Sequence, residues 1–343
     1  MKIVRYTPFF KNQVLGLLKF LWNDRSFEDR KSLLEWKYER SPYFSNLMFI
    51  ALEDEKVIGF RGYTINKTIF ENRVFYTACL ADAVTSPSSR GKGIFNKLTK
   101  FSLEALSKID INVVLALSSN NFSTPGYIKL GFNKLIDREP LFRVSLYGIL
   151  TNFFKFKDTS INYLKIKNDL TFKITDKLNF SVSHFEMLSK KQILSKSATT
   201  LKPHLWYDWK YSNPSKKYIF CSCWKKNELV DFIILNKNHR YWTVVDYSYT
   251  NHVNFNLLLK SVFNRLNPHV IMLMETYLDK NMIDVFKKRK FYKYKFLTKI
   301  FNKKFEPILV KFGEIVLKKE SNLIDNLKIP SNWNIRFSDS DAS

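Results

Sequence analysis

Glycine is scarce in this chain, with nine residues in 343, so few of its turns can depend on it. Cysteine is scarcer: Cys79, Cys221 and Cys223 are odd in number and form no disulfide framework. Cys221-Ser-Cys223 is half of a metal-ligand pattern, but no second Cys or His pair stands at matching spacing. The five histidines are dispersed and make no His-Glu-x-x-His pattern, so buried thiols are expected and a metal is not. No apolar run approaches the length of a membrane span. The opening MKIVRYTPFFKNQVLGLLKFLW is broken by Lys11 and Lys19 and has no small-residue cleavage site, so it does not read as a signal peptide and a cytoplasmic protein is expected. Acidic residues are also in deficit, 31 against 56 Lys and Arg, for a net charge of +25. Residues 1–150 hold 22 basic against 14 acidic residues, and the remainder 34 against 17. Such an excess suits an anionic partner: nucleic acid, an acidic membrane surface or a phosphorylated small molecule. A lysine-rich proteome gives the same excess, so charge alone names no function.

What is present is ample core material, 45% hydrophobic and 16% aromatic, in a chain long enough for two domains. Lys2–Tyr6 alternates like a strand. Pro8 can open a helix carrying Phe9, Val14, Leu17, Leu18 and Leu21 on one stripe. A second helix is expected over Lys31–Tyr38, ending before Pro42. LMFIALED and KVIGFRGYTI read as strands joined at Asp54-Glu55, and RVFYTACLADAVTS as a third. Then Ile94, Leu98, Phe101, Ala105 and Leu106 mark a helix, NVVLALSS a buried strand, TPGYIKLG a short helix and FNKLIDREPLFRVSL a closing strand. This order predicts a unit over residues 1–147 built on a mixed α/β sheet.

Residues 148–172, rich in Lys and Phe, read as a connector, and over residues 173–343 the chain echoes itself. Trp36-Lys37-Tyr38 with Pro42 is matched by Trp209-Lys210-Tyr211 with Pro214. Asp82, on a strand ahead of a helix, is matched by Asp246, and Tyr127…Phe132 by Phe286…Phe291. Three echoes in one order predict a unit duplicated in tandem.

Four of the nine glycines, Gly91, Gly93, Gly126 and Gly131, fall in one short stretch. Gly91 and Gly93 belong to SSRGKGIFNKL, a strand–glycine loop–helix junction. Such a junction turns backbone N–H groups and a helix N-terminus toward one point, with Arg90 and Lys92 adding full charges, which suits an anion. A basic turn facing solvent is the plainer reading of the loop alone. It is not a nucleoside-triphosphate loop, since Gly-x-x-x-x-Gly-Lys-Ser/Thr is absent, nor a dinucleotide fingerprint at the first strand.

VTSPSSRGKGIFNKL resembles the acetyl-CoA pyrophosphate loop of the GCN5-related N-acetyltransferases. In that signature a strand ends Val-x-x-Pro and is followed by Arg/Gln-x-x-Gly-x-Gly/Ala and a helix. Arg90, Gly93 and Phe95 occupy its three positions, Phe95 departing from the usual Gly or Ala. SSNNFSTPGYIKLGF is similar to the family's second motif, Asn…Tyr-x-Lys-x-Gly-Phe. The resemblance implies an α/β fold with a mixed, mostly antiparallel central sheet flanked by helices, and acetyl-CoA as acyl-donor co-substrate, its pyrophosphate on Arg90, Gly91, Lys92, Gly93, Ile94 and Phe95. It also implies that Asn121 and the backbone of Ala83, Val84 and Thr85 meet the pantetheine arm. Tyr127 stands where the family's general acid stands, giving a proton to the departing thiolate.

Asp82 is the candidate general base by position, with Glu35 and Glu71 as weaker choices. The second copy has DYSYTNHVNFNLL in place of the loop and Phe286 in place of Tyr127, so it is expected to bind no acetyl-CoA. Its expected role is to wall the acceptor pocket or to mediate a homodimer. The ending WNIRFSDSDAS resembles that of some two-domain members found among bacterial surface-polysaccharide genes. There Asp339 and Asp341 would reach an amino group or form a solvated acidic tail. That resemblance implies transfer to a small-molecule primary amine, an amino sugar, phosphorylated or nucleotide-linked. An aminoacyl-tRNA-dependent transferase and a noncatalytic basic module are the alternatives. Retention of both motifs in the first copy speaks against each, and against a nucleic-acid partner.

Overall fold

The structure, a computed structural model, describes residues 1–117, 119, 122–137, 140–145, 163–167, 169–178, 180–186, 197–238, 241–273, 280–294, 307–313, 321–336 and 339. The first half opens with β1 (Lys2–Arg5), a 3-10 turn at Pro8–Phe10 and α1 (Lys11–Leu18). Val14, Leu17 and Leu18 of the expected stripe are buried, while Phe9 and Leu21 lie exposed beyond the helix. α2 (Phe27–Leu34) begins earlier than its apolar residues indicate, because Ser26 caps it by accepting from the Asp29 N–H, with Glu28 and Asp29 in the first turn. It runs on as a π-helical turn, Glu35–Glu39, that buries Trp36, Lys37 and Tyr38. Then β2 (Met48–Glu53), β3 (Lys56–Phe70) and β4 (Arg73–Thr85) form a meander. Its two turns, Asp54-Glu55 and Glu71-Asn72, each place two non-glycine residues at positive φ, the hairpin geometry that follows strand twist. α3 (Ile94–Ser107), β5 (Val113–Ala116), α4 (Thr124–Lys129), β6 (Asn133–Asp137) and β7 (Leu141–Val144) follow.

The second half contains β8 (Tyr163–Lys167), β9 (Leu170–Thr175), β10 (Ala198–Leu201), α5 (His204–Tyr211), β11 (Tyr218–Lys225), β12 (Glu228–Lys237) and β13 (Trp242–Ser248). It continues with α6 (His252–Leu266), β14 (Val270–Leu273), α7 (Lys280–Lys288), β15 (Pro307–Phe312), α8 (Ser321–Leu327) and β16 (Trp333–Asn334). β8 and the start of β9 are strands inside the segment expected to be a connector; its residues 148–162 lie outside the described residues.

Two mixed, mostly antiparallel sheets result. One runs β1-β2-β3-β4-β5-β15-β6, with β10 on the far end of β3 and β16 beside β10; the other runs β7-β14-β13-β12-β11-β9-β8. The halves therefore exchange strands. β15, from the second half, lies antiparallel between β5 and β6, and β7, from the first, lies antiparallel to β14. FNKLIDREPLFRVSL is accordingly not one closing strand but two strands in different sheets, with Pro140, which has no N–H for a ladder, between them. A division near residue 147 follows the chain but not the sheets.

The echoes of the sequence are structural equivalences. Trp36 and Trp209 stack at 5.4 Å with planes 11° apart, and each indole N–H donates to the other's backbone carbonyl, at 2.6 and 2.7 Å. The junction between the copies is thus a local pseudo-twofold. The turn after α4 (Phe132 N–H to Tyr127 O, 3.1 Å) recurs after α7 (Phe291 N–H to Phe286 O, 3.0 Å). Lys290 takes the positive φ there that Gly131 takes in the first copy. Cys79, Cys221 and Cys223 are buried and form no disulfide, and burial pushes the Cys221 and Cys223 thiols up, away from reactivity. Among the described residues no group of His, Cys, Asp and Glu could hold a metal, and no helix is long and apolar enough to cross a membrane.

Candidate active site

β4 and β5 are parallel neighbours only where Thr77–Cys79 face Val113–Leu115. Beyond that the ladder stops, and Ala81–Thr85 of β4 border a cavity of about 680 Å³. The chain then passes through a 3-10 turn, Pro87–Ser89, into the glycine loop. Gly91 and Gly93 sit at φ of +80° and +70°, a region that costs any residue with a Cβ. Gly93 is the N-cap of α3 and offers no side chain to its free N–H groups. Arg90, Gly91, Lys92 and Gly93 are all exposed, and among the described residues the N–H groups of Gly91, Lys92 and Gly93 donate to nothing. Lys92 pairs loosely with Glu53 at 3.6 Å. An uncapped helix, free N–H donors and a nearby guanidinium fit a pyrophosphate.

The same cavity is lined by Arg90 and Phe95 from the loop side, Asp82 and the Ala83–Thr85 strand, and Tyr127 from α4. Two motifs far apart in sequence therefore converge on one opening, with the acidic candidate between them. Tyr127 is buried, and its Oη accepts from Arg61 Nη1 at 3.0 Å, so its own O–H proton is free to be donated. Asn121 lies outside the described residues.

A protein-family model described as an acetyltransferase (GNAT) domain matches residues 19–135. Residues 19–135 are a GNAT domain. The whole chain resembles solved structures of this fold. One is a GCN5-related N-acetyltransferase from Anabaena variabilis, 12% identical, covering 92% of this chain and 73% of that one with a TM-score of 0.64. Another, from Enterococcus faecalis, is described as a probable N-acyltransferase, 14% identical, with coverages of 93% and 74% and a TM-score of 0.65. A third is a tandem GNAT protein from the clavulanic acid biosynthesis pathway, 9% identical, with coverages of 91% and 98% and a TM-score of 0.52. Among curated proteins none matches in sequence.

Within the GNAT domain, the acidic candidates separate. Asp82 Oδ2 accepts from Lys37 Nζ and from Tyr38 Oη, each at 2.6 Å, and both partners come from the π-helical turn. Both bonds fall on Oδ2. Glu35 instead turns to Lys11 at 2.7 Å, whose hydrogen bond holds its carboxyl below the usual range, and it does not line the cavity. Glu71 sits on the distal β3–β4 turn and accepts from Asn326. Asp339 is neither in the cavity nor in a solvated tail: it is buried, 3.2 Å from Lys202. Asp341 lies outside the described residues.

Sequence reasoning expected the second copy to form a wall but named none of its residues, Asn213, Ser215 and Lys216, which close the cavity against Phe20, Trp22 and Arg25. Arg25 Nη1 donates to Ser215 Oγ and ties the walls together. The available signal was the Trp-Lys-Tyr echo, since Trp209 brings the residues after it to the site.

Proposed function

We propose that the chain is an acetyl-CoA-dependent N-acyltransferase whose acceptor is a primary amine carrying an anionic group, bound between the two copies. The observation that carries this reading is the cavity in which Arg90 and Phe95 from the two ends of the glycine loop, Tyr127, Asp82 and the second-copy wall meet. GNAT domains use acetyl-CoA, which supplies an activated acyl thioester and leaves as a thiol. Arg90 and the N–H groups of Gly91, Lys92 and Gly93 would hold its pyrophosphate. Backbone groups of Ala83, Val84 and Thr85 would bind the arm, and Asn121 is assigned the same role from its motif. The amine attacks the thioester carbonyl directly, with no covalent enzyme intermediate. Asp82 Oδ1, left open by Lys37 and Tyr38, accepts the amine's proton directly or through water. Tyr127 Oη gives its proton to the departing sulfur.

The acceptor class follows from charge. Besides the Tyr127 phenol, the ionisable groups lining the cavity are Arg25, Lys37, Asp82, Arg90 and Lys216, an excess of cations even with Asp82 paired to Lys37. With Arg90 committed to the coenzyme, Arg25 and Lys216 favour a phosphate or carboxylate on the acceptor. An amino sugar bearing a phosphate or nucleotide, as in surface-polysaccharide synthesis, meets these demands. The test begins with calorimetric titration of acetyl-CoA into the wild type and Gly93→Trp. Binding by the wild type alone is expected; no binding, or equal binding by both, would overturn the cofactor assignment. A thiol-release assay comparing amino sugars with and without a phosphate then tests the acceptor. Equal kcat/KM for the two would remove the anionic group from the reading.

A further inference from the structure

Phe95 departs from the small residue its motif leads one to expect, and Arg61 is a buried cation in the middle of β3. The structure places them together. Arg61 is 1% exposed, and no carboxylate among the described residues pairs with it. Its Nη1 donates to Tyr127 Oη and its Nη2 to Thr99 Oγ1, both at 3.0 Å, while Nε has no partner. The guanidinium carbon lies 4.9 Å from the Phe95 ring centroid and 5.5 Å from that of Tyr127. The Phe95 and Tyr127 rings are 5.3 Å apart. Phe95 also presses on the helix that bears Tyr127: a Cβ added to Gly126 would stand 2.7 Å from Phe95 Cε1. Burying an unpaired charge is costly, and two aromatic faces with two hydrogen bonds offset only part of that cost.

We propose that Arg61 is a positioning residue for the acid step, and that Phe95 is the platform that holds it there. This rests on the reading of Tyr127 as general acid. When the carbon–sulfur bond breaks, the sulfur takes the bonding pair and the Tyr127 O–H proton moves to it. The phenol oxygen then carries the negative charge until solvent returns a proton. Arg61 Nη1 already donates to that oxygen, so its bond changes from neutral-acceptor to ion-paired as the proton leaves. This interaction strengthens in the transition state and supports kcat rather than substrate binding. The bulk at position 95 is on this account a second support for Tyr127.

The test combines kinetics with a measurement that needs no turnover. In Arg61→Met, kcat for thiol release should fall on the order of 10- to 100-fold, the size expected for a hydrogen bond to a charged group. KM and calorimetric affinity for acetyl-CoA should stay within about twofold. Arg61→Lys, which keeps a donor cation, should recover part of the kcat. In a Tyr127→Phe background Arg61→Met should cost nothing further. In protein labelled with ¹³C at tyrosine Cζ, the resonance lost in Tyr127→Phe should move in Arg61→Met and return toward its place in Arg61→Lys. Unchanged kcat, a matching loss of affinity, losses that add in the double variant, or an unmoved resonance would each overturn the assignment. A wild type without turnover, or a Tyr127→Phe variant as active as the wild type, would instead overturn the general-acid reading and the assignment with it.

Discussion

Asp82 and Asp246 stand on matching strands of the two copies and live in opposite surroundings. Asp82 borders the cavity, its side chain 11% exposed, with Lys37 and Tyr38 on one oxygen. Asp246 is fully buried; Lys202 Nζ reaches its Oδ2 at 3.1 Å and Arg336 Nη1 its Oδ1 at 2.9 Å. Tyr207 and Tyr211 crowd the same place, and burial, then the Asp246 charge, raises both phenols well above their usual range. The helix that follows differs in the same sense. α3 begins at uncapped Gly93, whereas the first N–H groups of α6, those of Val253 and Asn254, are taken by the Asn251 side chain. One backbone plan thus serves two ends: the first copy keeps its polar groups open to a ligand, and the second satisfies the same groups from within.

The sharpest way to break this contrast is to remove a lysine from each copy. Lys202→Met takes the shared cation from two buried carboxylates, leaving Asp246 with Arg336 alone and Asp339 without its lysine, and should lower unfolding free energy by about 3–5 kcal/mol in urea titration. Lys37→Met leaves Asp82 beside a cavity that water can enter, so a loss of only about 1–3 kcal/mol is expected, with thiol release strongly reduced. Equal losses would mean that the two aspartates are alike. Next in size, Trp209→Phe removes the indole donor and leaves the Trp36 carbonyl unpaired at the junction, at about 1–3 kcal/mol. KM for the acceptor should rise with it, because the second-copy wall follows Trp209. Asn251→Ala should cost about 1 kcal/mol by uncapping α6, and calorimetry should still find one acetyl-CoA site, since no glycine loop precedes that helix.

The smallest effect is one of pH. Burial alone would raise the Asp246 carboxyl, but Lys202 and Arg336 outweigh it and hold the group below its usual range. The folded protein therefore keeps Asp246 ionised at acidities where the unfolded chain protonates it. The stability this confers is complete above the ordinary carboxylate range and is lost as pH falls through the lower folded value. Melting temperature followed into acid should fall less steeply in Asp246→Asn than in the wild type.

Much of the first copy was legible because its determinants are local. The loop needs glycine at positive φ, the Tyr127 motif sits on one short helix, and the hydrophobic periods mark strands and helices. The α2 start was missed because its signal is the Ser26 cap and not an apolar stripe. The strand exchange was illegible for a deeper reason: LFRV and PILVKF say that they are strands but not which sheet receives them. Arg61 was passed over because a charged residue beside glycine in an alternating strand reads as solvent-facing. Only the approach of α3 and α4 shows that it is enclosed. Asp339 was misplaced because its partner, Lys202, is remote in sequence.

The exchanged strands also put the chain on a timetable. Ser119 donates to the Pro307 carbonyl across 188 residues, and β15 supplies the ladder that joins β5 to β6. A ribosome that has finished the loop, Tyr127 and β6 has therefore made every motif of the first copy but not the strand that completes its sheet. That domain must wait, with β5 and β6 unpaired on their facing edges, until the last tenth or so of the chain emerges. Release of a truncated chain would leave the recognition motifs intact and open sheet edges exposed, a state suited to aggregation rather than partial activity.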